Sequence, residues 1–126
     1  MIFGKTKLLI LLAAMFLSFN AFAQPTITIP DADVKRCSGL TVGNLVYSGT
    51  TGAPVDYSID FNGAAEGQGF VDVTNLALPV SPIAITIPAG ATPATYSASL
   101  TVRDGGAVVS VAVPITVTIL PKPVIQ

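Results

Sequence analysis

Between Thr95 and Arg103 the side chains alternate without a break. Tyr96, Ala98, Leu100 and Val102 are apolar or small, while Thr95, Ser97, Ser99, Thr101 and Arg103 are mostly hydroxylic or charged. A period of two places the first set on one face of a strand and the second set on the other. Val55–Phe61 repeats the pattern, with Val55, Tyr57, Ile59 and Phe61 set against Asp56, Ser58 and Asp60. Ile83, Ile85 and Ile87 alternate with Ala84 and Thr86, and Ile115, Val117 and Ile119 alternate with Thr116 and Thr118. Runs of this kind bury one face and leave the other in water, as half-buried antiparallel strands do.

The segment ahead of these runs is of a different kind. Lys5 and Lys7 precede the apolar run Leu8–Phe19, and Ala21-Phe22-Ala23 sets small residues before a cut between Ala23 and Gln24. These are the three parts of a secretory signal peptide. The apolar run has 12 residues, short of the ~20 that a membrane-spanning helix needs. The expected organisation is a signal peptide over 1–23, one β domain over 24–120 and a linker-like tail over 121–126, starting Pro121-Lys122-Pro123. Export to the periplasm, cell surface or medium follows, with no membrane contact after cleavage.

Removing 23 of the 126 residues leaves 103, which hold 14 Val, 9 Ile and 12 Thr but only 6 Leu and 1 Glu. β-Branched side chains fit a pleated surface better than a helix. The mature chain therefore reads as all-β.

Several functions are excluded by inventory. The sequence has no His and one Cys, so one chain offers neither a His/Cys zinc site nor a Ser–His or Cys–His catalytic pair. The net charge of −1, or −3 for the mature chain with 4 Lys/Arg against 7 Asp/Glu, gives no basis for nucleic-acid binding. No cofactor is expected. Gly63–Gly69 is not a phosphate loop, since no Gly-Lys-Ser/Thr ending follows it.

Turn signals divide the mature chain further. Thr26–Ile29 is a short alternating piece closed by Pro30, and Leu40–Tyr47 is a second run. Gly49–Pro54 and Gly63–Gly69 read as loops, the second flexible, and both are the candidate binding loops. Phe70–Thr74 is a short strand, and Leu78–Pro82 a break. Pro88-Ala89-Gly90 ends the Ile83–Ile87 strand, so Gly90 is a structural candidate. Asp104-Gly105-Gly106 reads as a hairpin turn in which Gly105 and Gly106 supply positive φ. Pro114 predicts a bulge or an edge. The total is about seven strands in about 100 residues with turns every 8–12 residues, the pattern of an immunoglobulin-like sandwich of antiparallel strands. Tyr96, near the start of the penultimate strand, is placed for a tyrosine corner, its hydroxyl bonding upstream backbone; an ordinary core Tyr is the alternative.

The succession Cys37-Ser38-Gly39, Tyr47–Pro54, Tyr57–Phe61, Gly69–Val73, Leu78–Ile83, Ile87–Gly90, Thr95-Tyr96, Leu100–Val102 and Ile115–Thr118 resembles the PKD-like repeats of large secreted proteins of the Bacteroidetes. Those repeats often occur in tandem and upstream of a sorting domain for type IX secretion. The resemblance spans about Pro25 to Val124 and implies an immunoglobulin-like fold without naming a ligand. It also implies a Cys partner for the Cys37 position in the last strand, where this chain has Val108, so that bridge is lost.

Candidate sites are few. Cys37 is either an intermolecular thiol or a reduced, partly buried relic of the lost bridge. Asp31 and Asp33, with Asp56, Asp60, Glu66 or Asp72, are oxygen donors of the kind Ca²⁺ takes, yet no calcium-loop spacing is present and a solvated surface is expected instead. Asp60 and Asp72 are the only pair worth weighing for glycoside hydrolysis, and no cleft is expected to hold them. The expected function is a non-enzymatic exported module, a spacer or adhesin building block contacting other surface proteins or copies of itself. The alternative is a fibre subunit whose arm, Gln24–Val34, adds as a strand to a neighbour. A carbohydrate-binding module would need an exposed Trp/Tyr platform that this chain lacks.

Overall fold

The computed structural model describes residues 23–123. The signal-peptide expectation falls mainly on residues 1–22, outside that range. Ala23 and Gln24 are exposed and irregular, and Pro25 is buried. No helix among the described residues is long and apolar enough to cross a membrane.

The chain is all-β. Nine strands form in order: β1 (Thr26–Thr28), β2 (Asp33–Cys37), β3 (Val42–Leu45), β4 (Gly49–Thr51), β5 (Pro54–Phe61), β6 (Val73–Ala77), β7 (Ile83–Thr86), β8 (Ala94–Asp104) and β9 (Val113–Leu120). One short helix, α1 (Gly63–Gly67), lies between β5 and β6. Five strands pair in the order β2-β9-β8-β5-β6, while β1 pairs β4 and β3 pairs β7. The inward faces close on a single core. Ile59, Leu100, Val102, Ile115 and Val117 come from the large sheet, and Ile27, Leu45, Ile83 and Ile85 from the small pairs. The alternation read in β8 is the one observed, with Tyr96, Ala98, Leu100 and Val102 all buried.

Several expectations require correction. The strands are not all antiparallel, because β2 runs parallel to β9, with Asp33 opposite Thr116 and Cys37 opposite Leu120. β2 reads Asp-Val-Lys-Arg-Cys, and its one buried residue, Val34, is too little pattern to mark a strand. Gly49–Thr51, expected in a loop, is a strand because it completes the ladder to β1. Gly63–Gly69 is not a flexible connection: Asn62 caps α1, its side-chain oxygen accepting the Ala65 N–H at 2.9 Å. Phe70 precedes the β6 strand rather than opening it. Its ring packs between Phe61 and Tyr96, with centroids at 5.0 and 5.1 Å.

Val55 is expected in the core and Asp56 on the outer face; Val55 is instead 53% exposed, while Asp56 keeps the outer face, opposite Arg103, but is covered to 8% exposure. The β5–β8 register shifts between Pro54 and Asp56, and a bulge of this kind re-aims the side chains before it. Arg103, opposite Asp56 on the outer face of the sheet, pairs with its carboxylate. Its Nε donates to Oδ1 at 3.1 Å and its Nη2 to Oδ2 at 2.6 Å.

At the β8 turn, neither Gly105 nor Gly106 has positive φ; Ala107 does, at 67°. The turn is held by Asp104, whose Oδ1 accepts the N–H groups of Gly106 and Val108, both at 2.9 Å. Gly90 also needs no special conformation, and a Cβ there would meet nothing within 4 Å. Pro114 lies in a strand flanked on both sides further on, but β2 begins only opposite Thr116. At Pro114 itself β9 has only β8 beside it.

Candidate functional site

A groove of about 290 Å³ lies between the two layers, where β6 overhangs β7. Its floor is Tyr57, Ile59 and Phe61 from β5, its roof Val73 and Leu76 from β6, and its far wall Ala84, Ile85 and Thr86 from β7. The overhang has a local cause. Tyr57 pairs with Leu76 and Ile59 with Val73, so between these pairs one residue of β5 faces two of β6. The extra residue lies in Thr74-Asn75, where Asn75 takes φ of 48°. That turns both Val73 and Leu76 toward the interior side, and Leu76 is left 54% exposed because no strand lies beyond β7 to cover it. Burial pushes the Tyr57 phenol above its ordinary range.

Asp72, which lines the groove beside Thr86, converges at the sheet's rim with Asp60 and Glu66, one carboxylate oxygen of each within 4.8 Å of the others. β5 supplies Asp60 on its outer face, and α1 supplies Glu66. Asp72 is fixed by the Phe61 N–H, which donates to its Oδ1 at 2.8 Å. The donor set is the all-oxygen kind that a hard cation such as Ca²⁺ takes. All three side chains are exposed, and no ion pair engages them among the described residues.

The other acids of the calcium expectation lie elsewhere. Asp33 accepts the hydroxyls of Thr116 and Thr118 at 2.9 and 2.7 Å, with Lys35 Nζ at 3.3 Å. The Thr118 hydroxyl foremost, with Thr116 and Lys35, holds its carboxyl below the usual range against a smaller opposing effect of burial. Asp31 accepts the Asp33 N–H at 3.1 Å. Asp56 is committed to Arg103. Asp60 and Asp72 do come together, but on an open surface beside Glu66 rather than across a cleft.

Tyr96 donates its hydroxyl to the Thr92 carbonyl at 2.6 Å, with Thr92 Oγ1 at 3.0 Å. Its ring is buried against Phe70. Tyr96 does not line the groove under β6.

Cys37 is a free, exposed thiol rather than a partly buried one. The correspondence with Val108 fails. Cys37 lies opposite Leu120, beside the Ala94 end of β8, whereas Val108 accepts the Asp104 N–H at the other end. Ten residues of strand separate those ends, roughly 33 Å at ~3.3 Å each, against the ~7 Å limit between bridged Cα atoms.

Of the groove, the sequence marked Tyr57, Ile59 and Phe61 as inward. It did not mark Val73 and Leu76, because the extra residue between them breaks the period of two. The expected binding loop Gly49–Pro54 contributes nothing to it. Comparison of the chain with family models, with curated proteins and with solved structures gives no match in any of the three.

Proposed function

We propose that the mature chain is an exported, non-enzymatic immunoglobulin-like module, a spacer or adhesin building block of a cell-surface or extracellular protein. The observation that carries this reading is where the ends emerge. Pro25 packs against Gly52, with a Cβ on Gly52 falling 2.8 Å from the Pro25 Cα. Gly52 adjoins Pro54, which pairs with Asp104 at the far end of β8. Leu120 leaves at the Ala94 end, since Ile119 pairs with Ala94. Copies joined end to end would stack along the strand direction, adding about 33 Å or more each at ~3.3 Å per residue.

The strand order supports the immunoglobulin-like form of the sandwich. The first arm pairs antiparallel to β4 in one layer, then crosses at Pro30 to run parallel to the last strand in the other. The Tyr96 corner stands where this fold keeps one. Membership of the PKD-like repeats is part of the same proposal, with the Cys37–Val108 correspondence as a departure from it. A fibre subunit built by arm exchange would first have to strip β1 from β4 and draw Ile27 out of the core.

Two mature copies fused through Pro121–Gln126 test the reading by small-angle scattering. An extended particle about twice the length of one copy is expected. A fusion collapsed side by side, or turnover of a glycan or peptide substrate by the single copy, overturns it.

A further inference from the structure

The edges of this molecule are unequally guarded. β2, at one edge of the large sheet, carries Asp33, Lys35 and Arg36. β6, at the other, is broken by the extra residue and the positive φ of Asn75. Charges and bulges are the usual devices that stop an edge from pairing with another chain. β7 has neither. It reads Ile-Ala-Ile-Thr, pairs only with β3, and its second edge opens into the groove under Val73 and Leu76.

We propose that this groove takes an added β-strand from a partner protein, an extended segment with alternating apolar side chains and Lys or Arg at one end. Main-chain bonds to β7 would hold the strand, and alternate side chains would enter beneath Val73 and Leu76, the general mode of strand addition. β7 has four residues, so the paired stretch is about 13 Å at ~3.3 Å per residue. The charge requirement comes from the acidic corner. Gly69 sits against Pro88, a Cβ there lying 3.4 Å from the ring, so Asp72 and its neighbours stand at the Thr86 end of β7. Three carboxylates there have no cationic partner among the described residues. An antiparallel strand enters at Thr86, which puts its basic residues at its N-terminal end. The inference rests on the module reading only for the class of partner, a protein met at a surface.

The test uses the isotope-labelled mature chain and two synthetic peptides, Lys-Lys-Val-Thr-Val-Thr-Val and its Glu-Glu counterpart, followed by NMR. The basic peptide is expected to shift the amides of Ala84–Thr86 and Val73–Leu76, slow their hydrogen exchange, and leave β2 unmoved. Its affinity should exceed that of the acidic peptide by about fivefold or more at low salt, a preference that added salt reduces. Asp60→Asn with Glu66→Gln, both on exposed side chains, should erase the preference while keeping the fold. Absence of binding at millimolar peptide, shifts confined to other edges, or equal affinity for both peptides overturns the proposal. So does self-association of the free protein through β7 in sedimentation, which would make a second copy the occupant. The fused-copy scattering is independent of these outcomes, so a monomeric, stackable module that ignores the peptide fails this inference alone.

Discussion

Tyr96, Gly52 and Asp33 each hold a definite part of the fold, whereas Gly90 holds none. The Tyr96 hydroxyl satisfies a main-chain carbonyl at Thr92. Tyr96→Phe keeps the ring contacts with Phe70 and removes that bond, so urea denaturation should show a loss of about 1–2 kcal/mol with the fold intact. Gly52 needs its missing side chain twice over, for φ of 72° and for the approach of Pro25. Gly52→Ala should cost about 2 kcal/mol or more, whereas Gly90→Ala, at an open and unstrained position, should be neutral or stabilise by up to about 1 kcal/mol. Thermal melts of the pair separate a glycine that geometry requires from one it tolerates. For Asp33, the folded carboxyl is held below its unfolded value, chiefly by the Thr118 hydroxyl. Its contribution is therefore present above about pH 4, the unfolded Asp range, and lost as pH falls through the lower folded value. The stability gap between wild type and Asp33→Asn should be widest near neutral pH and close in acid, as read from denaturation midpoints across the range.

At the scale of elements, β5 carries Asp56 just past its bulge, on the outer face beside Arg103, and the ion pair covers the carboxylate. Asp56 keeps 12% of its side chain exposed and Arg103 32%, so removing one partner leaves a largely desolvated charge. Arg103→Ala should lower the denaturation midpoint, and the double replacement Asp56→Val with Arg103→Val should lower it less than the single one, because two apolar side chains leave no orphan charge. A double-mutant cycle by chemical denaturation measures the difference. The same bulge shows where reading the sequence stops. Long runs with an unbroken period, β8 and the end of β9, were legible to the residue. So was Pro114's need for a one-sided position. Val55 was not, because the bulge re-aims it, and the burial of Asp56 was not, because it depends on Arg103 from another strand. β2 was hidden because a parallel edge strand with a single buried Val34 has no period to display. The groove was half legible: β5 lines it with a regular alternation, while β6 enters through an irregularity that only pairing reveals.

For the whole molecule, the placement of Cys37 becomes a statement about assembly. The thiol is exposed on an edge strand, level with Leu120, and so at the end of the sandwich where the chain leaves. The N-terminal anchor at Pro25 is at the other end. Two copies joined by a Cys37–Cys37 disulfide would therefore meet exit end to exit end, and the oxidised dimer should measure about twice one copy's length, with both entry ends pointing outward. Air oxidation of the mature protein should yield this dimer on a non-reducing gel. Cys37→Ser should abolish it and leave the melting behaviour of the monomer unchanged within about 0.5 kcal/mol, as substitutions at exposed positions without partners do. Small-angle scattering of the oxidised material supplies the length. A compact dimer would mean that the thiols meet along the β2 edge rather than at the tip, which would bury Lys35 against its own copy and make the dimer sensitive to salt. Head-to-tail stacking through the chain and exit-to-exit joining through sulfur use different surfaces, and a fused pair carrying Cys37 should therefore oxidise to four collinear modules rather than closing on itself.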